Sequence, residues 1–230
     1  MEINAATHEP FLRLPPPHEN IVITPPRMSD APAQMVLMND PMVYPYLGTP
    51  AYPHLLEHAE AWLNKTTSGS QIMLMEIEGG ATFVGGCPVN SIRELNEDGS
   101  EIFLGAIDIF RYRFADVKEE ESRKELVAEN EGRTLGDPNI VWEIGYYLAP
   151  SRHGRGLMTV LIQTIVEKWA IPRMGVRKIV ATVFKGNDAS INVLKKNGFT
   201  LIQTLDDWVE IQASKGGGKA GLHVLKWEYS

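Results

Sequence analysis

The sequence predicts an α/β fold in which antiparallel strands flank one parallel pair, and three observations predict it. Trp142 to Leu148 is an apolar strand that breaks at Ala149-Pro150. The basic loop Ser151-Arg152-His153-Gly154-Arg155-Gly156 then feeds straight into an amphipathic helix. Lys178 to Phe184 is a continuous apolar run, as expected of a central strand covered on both faces. Strand, helix and strand in this order make a right-handed crossover, so the strands around Ile144 and Val180 should lie side by side. Third, turn signals separate the remaining strands in the manner of hairpins, at Gly79-Gly80, Asn96-Glu97-Asp98-Gly99 and Gly216-Gly217-Gly218.

The elements follow in order. Residues 1–20, with Pro15-Pro16-Pro17, read as an extended or flexible arm before a single domain spanning 21–230. Ile21 to Thr24 is a short strand ended by Pro25-Pro26. Ser29 or Asp30 can cap a helix through Ala33, Met35, Val36 and Leu37, which Pro41 stops. A second helix runs from Pro53 to Lys65, with Leu55 and Trp62 on its inward side and the histidines outward. Ile72 to Ile77 reads as a strand, Ala81 to Ile92 as extended chain, and Ile102 to Phe114 as a strand. The acidic stretch 116–139 is a charged insertion between two strands, in part an exposed helix. After the glycine loop, Met158, Leu161, Ile162, Ile165 and Trp169 share one helical stripe, ended by Pro172 and Gly175. Asn187 caps a short helix that stops at Gly198. Phe199 to Ile211 and Leu222 to Tyr229 close the chain as a hairpin.

Composition narrows the function. The formal charge of 22 − 29 = −7 argues against a nucleic-acid binder built on phosphate neutralisation. One cysteine, Cys87, excludes an intrachain disulfide and fits a reducing compartment. The opening residues lack a signal-peptide pattern, and no apolar run is long enough to span a bilayer. A cytoplasmic protein with no membrane partner, monomeric or homodimeric, is the expectation.

The glycine loop carries the chemistry. A strand–loop–helix join directs unpaired backbone N–H groups and the positive end of a helix dipole at one point, which suits a phosphate. Gly154 and Gly156 let the backbone approach such an anion closely. The third glycine of a dinucleotide fingerprint is missing, since Val160 follows, and so is the Gly-Lys-Ser/Thr ending of an ATP-binding loop. The ordered set continues with an apolar strand and then Asn187-Asp188-Ala189-Ser190, Val193, Lys196, Gly198 and Phe199. That set resembles the GNAT acyl-CoA N-acyltransferases, and within them the RimJ/RimL-like group. The likeness is specific from Val141 to Phe199, looser from Ile21 to Trp62 and absent in the acidic insertion.

The resemblance implies a GNAT fold: a mixed, mostly antiparallel sheet of about seven strands with one splayed parallel pair, flanked by helices. It implies acetyl-CoA as acyl donor, no metal, and direct attack by a primary amine in a ternary complex, the amine being a protein N-terminus or a small molecule. By resemblance the coenzyme lies along Tyr147, Leu148, His153, Gly154, Arg155, Gly156, Leu157, Met158, Asn187 and Ser190, with a backbone N–H near Leu148 facing the thioester oxygen. Ser190 matches a serine placed near the sulfur. The tyrosine that many GNAT enzymes use as acid falls on Leu194 here, leaving that role vacant or to Ser190 or a water. Glu143, an acid in an otherwise apolar strand, is the candidate base, since burial can raise its pKa toward neutrality. Tyr44 and Tyr46 are candidate walls for the acceptor, which is expected between the two N-terminal helices and the last hairpin.

Two other readings compete. His54-Leu55-Leu56-Glu57-His58 matches the inverted zinc-peptidase pattern, with two histidines one helical turn apart. A non-catalytic acyl-CoA sensor would keep the loop and lack the chemistry.

Overall fold

The computed structural model describes residues 1–229. Nine strands build one sheet: β1 (Glu2–Ile3), β2 (Pro10–Arg13), β3 (Ile21–Thr24), β4 (Ser91–Leu95), β5 (Glu101–Arg111), β6 (Val141–Leu148), β7 (Lys178–Phe184), β8 (Thr200–Glu210) and β9 (Lys219–Glu228). Their order across the sheet is β1-β2-β3-β4-β5-β6-β7-β9-β8. Every neighbouring pair is antiparallel except β6 and β7. The two strands beyond the expected seven come from the opening segment, which adds β1 and β2 to the edge of the sheet beside β3.

Five helices accompany the sheet: α1 (Ala31–Met38), α2 (Leu56–Glu78), α3 (Glu120–Gly132), α4 (Leu157–Ile165) and α5 (Asp188–Lys196). The expected strand at Ile72–Ile77 is the second half of α2. Thr66 and Ser68 turn their hydroxyls back onto helix carbonyls at Trp62 and Asn64. Ser70 is buried and donates to Pro88 O at 2.7 Å, while Met73 and Ile77 pack on the core. These positions repeat at helical spacing, and the polar run 66–70 concealed the continuity. Trp62 is 49% exposed and Leu55 is exposed as well, whereas His54 is buried, so the expected inward and outward sides are reversed.

The stripe expected on α4 is buried throughout, from Met158 to Trp169. The helix runs on past Ile165 as a π-helical stretch, Val166–Met174, that contains Pro172 and ends at Gly175. Wider winding accommodates a residue with no N–H to donate. The insertion 116–139 forms α3, a charged helix in which Arg123, Leu126 and Val127 are half-buried and Asn130 is buried. Its side chain clamps the start of β6, accepting from Val141 N–H at 2.9 Å and donating to Val141 O at 2.8 Å.

A buried ion pair ties α1 to the sheet. Arg93 on β4 makes two bonds to Asp30, at 2.8 and 2.6 Å, and a third to Thr24 Oγ1 at 2.7 Å. Removing one partner of such a pair strands the other charge in the core. Asp30→Ala should lower the unfolding free energy by about 3–5 kcal/mol in urea titration. A change within experimental error would show that Arg93 finds solvent or Glu101 instead.

Candidate active site

The parallel pair is the centre of the site. β6 and β7 are in register only over Val141↔Lys178, Trp142↔Ile179 and Glu143↔Val180, and then separate. On its other side β6 stays paired with β5 out to Leu148. Ala149 N–H donates to Leu104 O and Tyr112 N–H to Val141 O. Ladder alternation therefore turns the peptide groups of odd-numbered β6 residues toward β5 and those of even-numbered residues toward β7. The free N–H groups in the opening belong to Tyr146 and Leu148. The main chain of Tyr147 faces β5, and a Cβ on Gly105 would collide with Tyr147 O.

At the mouth of this opening lies the glycine loop. Gly154 and Gly156 have φ of +72° and +74°, and an added Cβ at either meets nothing within 4 Å. Glycine is needed there for the left-handed backbone, and the space in front is open. Among the described residues no backbone or side-chain group accepts from the N–H groups of Gly154, Arg155, Gly156, Leu157 and Met158. Five consecutive free donors at the start of a helix form an anion cradle. The side chains of Leu157 and Met158 are buried in the core, so these two residues offer only their main chain. Arg152 is not free for an anion, because it pairs with Glu94. Among the described residues Arg155 has no ion-pair partner and is exposed, and His153 Nε2–H donates to Leu148 O at 2.8 Å, fixing the loop to the end of β6.

Ser190 sits in the first turn of α5, its N–H accepted by the Asn187 cap at 3.2 Å. Its hydroxyl is 2.6 Å from the phenol of Tyr146. Burial pushes the Tyr146 phenol up to about 12, against the opposing bond from Ser190, so it is a neutral proton donor. Sequence reasoning passed over Tyr146; alternation along β6 from the chosen Glu143 would have placed it on the α5 face. Leu194, where the family's tyrosine falls, is in the core.

Glu143 projects from the other face of the sheet. Thr182 donates to it at 3.0 Å, and burial pushes its carboxyl up to about 7 despite that bond. Asp108, which the sequence reading missed, lies on this face too. On β5 it stands opposite Gly145, two pairs along the ladder from Phe110↔Glu143, and burial pushes it up to about 7. Its signal was the one that marked Glu143, a lone acid in an apolar strand. Two residues along, the buried phenol of Tyr147 meets the side chain of Gln34 on α1, itself 2% exposed.

A lid crosses this second face. Tyr44 and Tyr46 lie in a short turn, with Tyr44 stacked on Tyr52 at 4.1 Å and Tyr46 41% exposed. The chain after them is held by the β8–β9 hairpin: Gln212 donates to Gly48 O at 3.1 Å and Lys215 to Leu47 O at 2.5 Å. His54 precedes α2 rather than lying on it. The rings of His54 and His58 are 5.4 Å apart, and His58 Nδ1 accepts from Leu55 N–H. Among the described residues no group of three metal-ligating side chains occurs, and no helix is long and apolar enough to cross a membrane.

Comparison with known proteins agrees with this architecture. The model of an acetyltransferase (GNAT) domain matches residues 20–200. No protein of curated function matches the sequence. Among solved structures, RimL, a ribosomal L7/L12 alpha-N-protein acetyltransferase, superposes with a TM-score of 0.63 at 16% identity, over 100% of this chain and 99% of that one. The microcin C7 self-immunity acetyltransferase MccE, in complex with acetyl-CoA and AMP, gives 0.60 at 14% identity, over 92% and 93%. Mycobacterium smegmatis RimJ, in complex with CoA-disulfide, gives 0.57 at 21% identity, over 96% and 86%.

Two measurements probe the two sides of the opening. Gly154→Val forces a β-branched residue into the left-handed region and fills the open space, so coenzyme A affinity by calorimetry should fall at least about tenfold. Glu143 has a folded pKa above its unfolded one, so folding disfavours its charged form and stability is lost as pH rises from about 4 through 7. Glu143→Gln should therefore leave the melting temperature nearly unchanged at pH 4 and raise it increasingly toward pH 8, where the gain is about 2–3 kcal/mol.

Proposed function

The chain belongs to the acetyltransferase (GNAT) family, and from that premise we propose that it moves an acetyl group from acetyl-CoA to a primary amine by direct attack in a ternary complex. The observation that carries this reading is the row of five free N–H groups at the mouth of a splayed strand pair. Those donors, with Arg155, hold the coenzyme diphosphate. The N–H groups of Tyr146 and Leu148 bind the amides of the pantetheine arm as it passes between β6 and β7. Placing the thioester in the gap between the faces lets the amine approach from the side of Glu143.

Each residue then has a defined task. Glu143, with a pKa near neutrality, takes a proton from the incoming ammonium. Leu148 N–H stabilises the charge that develops on the thioester oxygen. Tyr146, through Ser190, returns a proton to the departing sulfur, filling the position left empty by Leu194. The thioester is already activated, so alignment supplies much of the acceleration. Tyr44 and Tyr46 line the acceptor side by virtue of their place in the lid.

The test is acetyl-CoA with a panel of primary amines, read out as free thiol. Release with some amines and none without an amine supports transfer; tight coenzyme binding with no release across the panel favours a sensor. Ser190→Ala and Tyr146→Phe should each lower kcat by about tenfold to a hundredfold with coenzyme affinity nearly unchanged. Equal turnover in both variants would assign the pair to packing.

A further inference from the structure

The lid over the second face has little to hold it. Among the described residues it makes no backbone hydrogen bond within itself from Gly48 to Pro53. Its middle is carried by two side chains of the β8–β9 connection, Gln212 and Lys215. Its far end is closed by Asn39 at the end of α1, whose side chain accepts from His54 N–H at 2.8 Å and donates to His54 O at 2.7 Å. Between Tyr44 and Leu55 the one buried side chain is that of His54, at 6% exposure. An exposed loop is thus seated on a single buried group, and that group can titrate.

The seat suits a neutral imidazole. Among the described residues neither ring nitrogen has a well-formed hydrogen bond, and only the Ala51 carbonyl, inside the lid, favours a charged ring. Burial opposes the charge most, and His58 on α2, its ring 5.4 Å away, opposes it too. Lys215, reaching in from the hairpin, acts in the same direction. Glu57 lies 4.0 Å from His58 Nε2 but is exposed, and no carboxylate offsets the cations at His54.

We propose that His54 is a pH-sensitive latch: its neutral ring seats the lid over the acceptor side, and its protonation unseats the ring and opens the lid. This rests on the acceptor side assigned above. The closed lid disfavours the charged ring, so it binds fewer protons than the open one. Closure is therefore complete above the ordinary histidine value of about 6.5 and is lost as pH falls below it. Asn39 and Gln212 carry no charge and do not respond.

Hydrogen exchange of the lid amides, read by mass spectrometry on the full chain and corrected for intrinsic exchange, measures the opening directly. One histidine permits at most about a tenfold rise in the opening constant between pH 7.5 and 5.5, and a rise of at least about threefold is expected. Amides of α4 and β7 should keep their protection. His54→Gln and His54→Leu, neutral throughout, should each hold the change below about 1.5-fold, while His58→Gln should keep the rise. A lid equally protected at both pH values, a rise that survives both His54 variants, or one abolished by His58→Gln would overturn the proposal. The measurement needs no turnover. If the lid opens with acid and no amine releases thiol from acetyl-CoA, catalysis falls and the latch stands.

Discussion

The structure turns on the early separation of β6 from β7. Three residue pairs hold these strands parallel, and beyond Glu143 each continues with its outer neighbour alone. β6 follows β5 for its whole length, and β7 follows β9 from Lys178 to Phe184. Each strand is thus fixed from outside while the inner edges stay unpaired. Exposed edges of this kind are normally covered or blunted. Here they border the glycine loop, the first turn of α5 and the two carboxylates. Asn130 secures the base of β6 from an insertion that otherwise reads as solvated surface.

Separation also divides the chemistry between two faces. On the α4–α5 face the available groups are donors: five loop N–H groups, Arg155, and the Tyr146–Ser190 hydroxyl pair. On the opposite face they are acids, Glu143 and Asp108, with Thr182 as the supporting donor. An anion and a cation can therefore approach one gap from opposite sides, each meeting groups of complementary sign. The thickness of a single sheet separates the two environments, and β6 contributes to both because successive side chains alternate.

Much of this was legible where local rules are strong. The strand from Trp142, the loop and the helix after it are announced by periodicity, by glycine and by capping residues, and they form as expected. The sequence was misleading where the signal is tertiary. The seventies segment looks like a strand because its apolar residues are dense, yet Ser70 and Met73 show that a buried hydroxyl can continue a helix face. The opening strands were invisible because two to four residues carry too little pattern, and their pairing is decided by the exposed edge of β3. Asp108 and Tyr146 were missed because a role arises from which residue lies across the ladder, and register cannot be read from one strand alone.

The distribution of charge explains how an acidic chain can suit a polyanionic coenzyme. With a formal charge of −7, side-chain attraction over the whole surface is unfavourable. Arg152 does not compensate, because Glu94 already neutralises it. What remains is the backbone: five donors aligned by two left-handed glycines and the dipole of α4 behind them. These partial charges are fixed in direction, lose little entropy on binding, and act over the first turn only. Recognition built on them depends on loop geometry far more than on net charge. The acidic surplus is thereby left free to favour a cationic acceptor on the other face.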